Sequence, residues 1–312
     1  MAVTVDAPST REYWASQVRE HHDAEGRIFR YVAVKHPGAR GLVVHFSAFF
    51  GEWGDAPQHR KIFQGHFHRL RMLGDAPDYD FLFVCDEFGA DGNGTYYSGE
   101  GGDAFVERAM LDLIPRQIEA LGHTPATTVT MGSSMGATGA LKFGLLLGLK
   151  GIVAIGPHID LDICAERQGR WRHVAAIVAD GDPVSPGNRE VTRQVRLLVE
   201  RWRQPPAPPR LFMQACRDDA GVFHEQVEPL CRDWAAAGGS VTRDARRTGG
   251  HTSDHATRAL LLDVVGRILD DQPIDVVRYR RDRAFRGISA YEGVRRDLRK
   301  VAGRVLRAVK LR

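Results

Sequence analysis

Gly132-Ser133-Ser134-Met135-Gly136 stands directly after a β-branched run at 127–131 and directly before a helical stretch. In that setting a serine between two glycines is placed to act as a nucleophile. The turn is so sharp that a side chain two residues before or after the serine would strike the neighbouring strand or helix. The Met135 N–H, at the start of the helix, then points where an oxyanion would form. A serine at its free pKa attacks poorly, so it needs a base and a group that orients the base. Both follow in chain order: Asp218 and Asp219 after the run 210–214, and His251, in Arg247-Thr-Gly-Gly-His251, after 240–243. Asp219, three residues before Val222, is the favoured orienter, and Asp218 stays open as the alternative. His255 is a weaker rival for the base. His251 and His255 also have the i, i+4 spacing of metal ligands on a helix, but no third ligand accompanies them and the glutamate of H-E-x-x-H is absent. No metal and no cofactor are expected.

These residues need a frame that holds them at the ends of strands. Short β-branched or aromatic runs at 28–34, 41–46, 81–85, 127–131, 151–155, 210–214 and 240–243 alternate with amphipathic stretches at 103–121, 137–149, 189–203, 223–237 and 252–269. That alternation predicts a mostly parallel central sheet flanked by helices. The loop after the second run, Phe46-Ser47-Ala48-Phe49-Phe50-Gly51-Glu52-Trp53, is the expected source of a second oxyanion donor, the N–H of Ala48 or Phe49. Phe49, Phe50 and Trp53 would form an apolar wall, or a hydrophobic loop buried for stability. The loop at 86–102 combines Gly and Asp with Tyr96 and Tyr97, polar groups beside aromatic faces that would suit a hydroxylated substrate such as a sugar; a flexible surface loop is the alternative. Residues 158–209 are longer than one crossover requires and end in Gln204-Pro-Pro-Ala-Pro-Pro209, so they are expected to form a cap-like insertion beside the pocket.

Of the 312 residues, 43% are hydrophobic and 26% charged, the balance of a globular chain rather than a disordered one. No apolar run approaches the roughly 20 residues that cross a bilayer; the longest, near 141–149, is cut by Lys142, Gly144 and Gly148. Four isolated cysteines make no CxxC pair, and the first residues lack the basic start and apolar stretch of a secretory signal, so the cytoplasm is the expected compartment. The charge is uneven: residues 276–312 carry 13 Lys or Arg against 3 acidic residues, while the whole chain has a net charge of only +4. The expected organisation is a domain at 1–272 and a basic amphipathic tail at 273–312. In 291–312 the apolar residues Val294, Leu298, Val301, Val305 and Ala308 make one helical stripe between basic faces. Such a helix fits an anionic membrane surface, here the inner face, an acidic partner, or the chain's own body. Nucleic acid is not expected, because few aromatics interleave the arginines.

The elbow at Ser134, the acid at Asp219 or Asp218 and the Gly-Gly-His251 turn, in that order, resemble the α/β-hydrolase-fold serine hydrolases over about residues 28–270. The Gly94-Thr-Tyr-Tyr loop, the Gly-Ser-Ser-Met-Gly-Ala elbow and the Arg-Asp-Asp segment are similar, more narrowly, to the α/β-hydrolase-like proteins of bacterial capsular polysaccharide biosynthesis and accessory secretion. The sequence departs from the broad pattern in two places: Phe46-Ser47-Ala48 stands where a His-Gly pair is usual, and two aspartates are adjacent at the acid position. The resemblance implies a serine esterase that cleaves a carboxylic ester, on a small molecule or a glycan, through an acyl-enzyme. An acyltransferase on the same residues and a non-catalytic protein of the same fold are the alternatives.

Overall fold

The strands at the centre of the molecule are apolar on both faces, and every residue of four of them is buried: Leu42–Phe46 (β4), Asp80–Val84 (β5), Thr128–Ser133 (β6) and Gly151–Ile155 (β7). Strands of that kind belong inside a sheet that is covered by helices on both sides. The computed structural model describes residues 3–4, 11–49, 66–202 and 207–285. The sheet also holds Val3–Thr4 (β1), Arg19–His22 (β2), Ile28–Lys35 (β3), Arg210–Cys216 (β8) and Val241–Arg246 (β9), in the order β1-β3-β5-β4-β6-β7-β8-β9, with β2 also on β3. β3 runs antiparallel to β5 and β2 to β3; the other pairs are parallel. All seven expected strands form, with ends that move by at most three residues. β2 escapes a search for apolar periodicity because Arg-Glu-His-His is polar throughout, as an edge strand tolerates.

Strand order reverses between β4 and β6. From β4 the chain passes to Phe67, Leu70 and Leu73 on one face of the sheet; from β6 it enters the helix Met135–Leu146 on the other. The loops that leave these two neighbouring strands therefore diverge, and the crevice between them is where open α/β sheets bind ligands. The face under Met135–Leu146 is completed by Phe105–Leu121 and Glu228–Ala236, and the opposite face by Arg258–Leu269.

Two expectations about chain organisation change. Residues 158–209 do not act as one cap. The helix Gln194–Glu200 packs on Met135–Leu146 and buries Val195 and Val199 in the core, as the crossover helix that joins parallel β7 to β8; among the described residues it is the earlier part, with helices Leu161–Arg167 and Trp171–Ala175, that reaches the site. The boundary at residue 273 also falls too early. The helix Val276–Arg281 puts Tyr279 at 0% exposure in the core, its hydroxyl donating to Asp263, and Phe285 packs beside it at a ring distance of 5.1 Å. The stripe at 291–312 lies outside the described residues. Among those described, no helix is long and apolar enough to cross a membrane.

Tyr279→Ala should cost about 3–5 kcal/mol in urea denaturation, as for other large buried aromatics. A chain ending at 273 should likewise be destabilised relative to one ending at 285; equal stability of the two would show that the aromatic pair is dispensable.

Candidate active site

Ser134 has φ 53° and ψ −123°, a left-handed backbone that a residue with a Cβ rarely adopts. Hydrogen bonds hold it there. Its N–H donates to the Ile155 carbonyl at 2.9 Å, and its own carbonyl accepts from the Ala137 and Thr138 N–H groups at 3.0 and 3.2 Å. The flanking glycines are required by contact: a Cβ on Gly132 would lie 2.0 Å from the Gly136 carbonyl oxygen, and one on Gly136 would lie 2.3 and 2.6 Å from the Phe46 and Ser47 carbonyl oxygens.

The structure brings three of the candidate side chains together. His251 Nε2 lies 2.9 Å from Ser134 Oγ, and His251 Nδ1 lies 2.8 Å from an Asp219 carboxylate oxygen. Asp218 points elsewhere: its two oxygens accept the Gly249 and Gly250 N–H groups, each at 2.9 Å, and so brace the turn that carries His251. His255 is turned away too, with Nε2 3.0 Å from the Thr248 carbonyl. Residues 251–257 are not helical, so the i, i+4 spacing of the two histidines gives them no common face.

The Met135 N–H is the first of its helix and has no intrahelical acceptor. Residues 47–49 leave β4 beside the elbow, with the Ser47 N–H bonded to the Val84 carbonyl at 3.1 Å and the Ser47 carbonyl packed on Gly136. Ala48 and Phe49 follow in the crevice. The Phe49 ring is gripped from the segment after β7: the Arg170 guanidinium carbon lies 4.3 Å from its centre and the His173 ring 4.7 Å away, edge to face. Phe50 and Trp53 lie outside the described residues.

The tyrosines expected as pocket walls are instead internal. Tyr96 and Tyr97, both with left-handed φ, turn inward to 1% and 0% exposure, and burial pushes both phenols up. The cause is Asp86, a buried carboxylate that accepts the N–H groups of Thr95 and Tyr97 and the Thr95 hydroxyl, so the loop winds around it rather than standing free. Tyr97 reaches Ser47, with its hydroxyl 2.9 Å from the Ser47 Oγ. Tyr96 touches the site through an intermediary, its hydroxyl lying 3.1 Å from His158 Nδ1.

His158 is the residue that sequence reasoning missed. Its ring stacks on His251 at 4.8 Å and 15°, and its carbonyl accepts from the Thr138 hydroxyl. Burial first, then the neighbouring His251 and Arg170, hold its imidazole well below the usual range, so it presents a neutral face to His251. The only hint in the sequence was its place, three residues past β7.

Among the described residues one group could ligate a metal: His66, Cys85 and Glu87, with ligand atoms within 4.8 Å of one another. Glu87 is already engaged. It pairs with Arg30, lies 3.1 Å from His66 Nδ1 and accepts the Cys85 thiol at 3.2 Å, while burial and this carboxylate push the thiol up and keep its proton on. The Glu87 carboxylate is thus already shared among an arginine, a histidine and a thiol.

The α/β sheet has many solved counterparts. The capsule O-acetyltransferase of Neisseria meningitidis serogroup A aligns over 80% of this chain and 94% of its own at 19% identity, with a TM-score of 0.59. A fluorophosphonate-binding serine hydrolase of Staphylococcus aureus aligns over 81% and 97% at 10% identity and a TM-score of 0.52. The fold is that of the α/β hydrolases. The glycosylation-associated protein complex of Streptococcus agalactiae is similar as well, over 86% of this chain and 48% of its own, at 16% identity and a TM-score of 0.55. A variant of the Neisseria acetyltransferase has been solved in complex with CoA. No family model matches the sequence, and no curated protein matches it.

His158 and the equally buried His45, whose imidazole burial also lowers well below its usual range, carry a pH prediction. The unfolded chain takes up protons near pH 6.5 that the folded chain refuses, so stability is complete above that pH and falls as pH drops, by up to about 1.4 kcal/mol per unit for each group. His158→Phe should flatten the loss of stability measured between about pH 7 and pH 5. An unchanged slope would mean that His158 takes up its proton in the folded state.

Proposed function

We propose that the protein is a serine hydrolase that cleaves a carboxylic ester through an acyl-enzyme. The observation that carries this reading is the continuous hydrogen-bonded line from Ser134 Oγ through His251 to Asp219, begun at a serine held in left-handed backbone. As Ser134 Oγ attacks the ester carbonyl, His251 Nε2 takes its proton, and the Asp219 carboxylate holds the other ring nitrogen and steadies the imidazolium. The carbonyl oxygen, now negative, is received by the Met135 N–H and an N–H of Ala48 or Phe49. Collapse breaks the bond to the alcohol, which leaves with the proton from His251, and the acyl group stays on Ser134. Water, deprotonated by His251 in its turn, then releases the acid and restores the serine. The stack on His158 adds to the same design. A neutral ring behind His251 keeps the imidazole in plane with Ser134 and Asp219 without opposing the charge it acquires.

Transfer to a second alcohol is the other reading. It is favoured by the match to the capsule O-acetyltransferase along 94% of that protein's length, and it changes only which hydroxyl enters at the last step. Product analysis separates the two: free acid accumulating against acylated acceptor when a polyol is added.

Ser134→Ala should abolish fluorophosphonate labelling and lower turnover of a p-nitrophenyl ester by several orders of magnitude while the fold is kept. Labelling that persists on another residue would refute the nucleophile. Asp219→Asn should cost about 10⁴-fold in turnover, the loss typical when the orienting carboxylate goes. Asp218→Asn, which only loosens the turn at Gly249 and Gly250, should cost far less; the reverse order would exchange their roles.

A further inference from the structure

The chain from the end of β7 through the crossover helix is rich in arginine, and most of these arginines are neutralised. Arg167 pairs with Glu225 at 2.6 Å, Arg172 with Asp91 at 2.8 Å, Arg193 with Asp162 at 2.6 Å, and Arg196 with Asp160 and Asp233. Arg170 is treated differently. Among the described residues no carboxylate lies within ion-pair distance of it, and its guanidinium rests on the Phe49 ring. A cation–π contact fixes the position of a guanidinium but leaves its charge and its in-plane N–H donors unspent.

Its backbone is equally fixed. The Arg170 N–H bonds to the Cys164 carbonyl at 3.3 Å, and its own carbonyl accepts from His173 and Val174 at 3.1 and 3.0 Å, at the head of the helix Trp171–Ala175. The place is the mouth of the crevice. Phe49 belongs to the loop that leaves β4 beside the elbow, and His173 closes on the same ring. Arg170 is one of the charges that depress both His173, after burial, and His158, after burial and His251; His158 in turn is stacked on His251. A half-buried, immobilised guanidinium that meets no carboxylate among the described residues is suited, at that spot, to a planar anion in a bidentate grip.

We infer that the substrate bears a carboxylate or phosphate group, and that Arg170 binds this group beside Ser134. The inference rests on the reading of Ser134 as the nucleophile and adds to it a substrate class, an anionic ester. The uncharged part of such a substrate would lie along Phe49, with the reacting carbonyl toward the Met135 N–H. No step of bond making changes; the arginine decides which ester is held.

The test compares three acyl donors on wild type and on Arg170→Met: neutral p-nitrophenyl acetate, mono-p-nitrophenyl succinate with a carboxylate on the acyl side, and acetyl-CoA with phosphates on the leaving side. The ratio of kcat/KM for an anionic donor to that for the neutral one should fall by about tenfold or more in the variant, chiefly through KM, as when a hydrogen bond to a charged group is lost. Arg170→Lys should recover part of the ratio by charge alone, and Arg172→Met, whose arginine already holds Asp91, should leave it as in wild type. Which anionic donor responds tells a carboxylate site from a phosphate site. A ratio that Arg170→Met does not change for either donor overturns the inference. Binding of succinate and of CoA to the Ser134→Ala protein, measured by calorimetry with and without Arg170→Met, probes the same contact without turnover. If fluorophosphonate leaves Ser134 unlabelled while removing Arg170 still abolishes binding, the nucleophile is refuted and the anion site is kept; binding that is absent or indifferent to Arg170 would refute the site.

Discussion

The contact of Gly136 with the Phe46 and Ser47 carbonyl oxygens is the constraint on which the site depends. The helix Met135–Leu146 has to approach the end of β4 closely enough that no side chain fits between them, and that approach holds Ser134 in a backbone conformation it would otherwise leave. A ring of interactions closes around the contact. Ser47 bonds through its hydroxyl to Tyr97, and the Tyr97 carbonyl accepts from Lys142 Nζ at 2.9 Å, on the same helix as Gly136. Lys142 also reaches Ser98 and Glu107, so a buried ammonium ties the helix, the loop around Asp86 and the helix Phe105–Leu121 into one body. The strain at one serine is thus carried by several elements, none of which can relax alone.

Polar groups are spent in two different ways around this body. Beneath the site several are buried and paired: Asp86 with the amides of its own loop, Tyr96 with His158, Thr138 with the His158 carbonyl. Each of these bonds is worth little net, but leaving one unmade in the interior is costly, so together they define a single arrangement. At the mouth of the site Arg170 has no carboxylate partner among the described residues and rests on Phe49 instead. The contrast with the paired arginines around it sets a binding surface apart from scaffold.

Charge along the chain is misleading when it is read by segment. The basic run that begins at Val276 looks like a tail, yet its first turn and a half is a structural helix: Tyr279 is buried, and Arg280 reaches the buried carboxylate of Asp244 at 3.0 Å. Lys142 misleads in the opposite sense. It interrupts an apolar stretch and would be placed in water by composition, but its ammonium has three partners inside the protein, and burial lowers its pKa against the opposing pull of Glu107.

The sequence by itself determined the sheet, the elbow and the order serine, acid, histidine. Those features are local: a β-branched run makes a strand, and Gly-x-Ser-x-Gly between strand and helix leaves few conformations open. The sequence left the two aspartates unresolved, because adjacent residues at a strand end point in different directions and only the position of the Gly249–Gly250 turn decides which faces His251. It also placed Tyr96 and Tyr97 in the pocket, since nothing local reveals that a buried Asp86 draws their loop inward. His158 and Arg170 acquire their significance wholly from tertiary structure. One is stacked on a histidine 93 positions later in the chain, the other on a phenylalanine 121 positions earlier, and contacts of that range arise only when the sheet brings the ends of β4, β7 and β9 together.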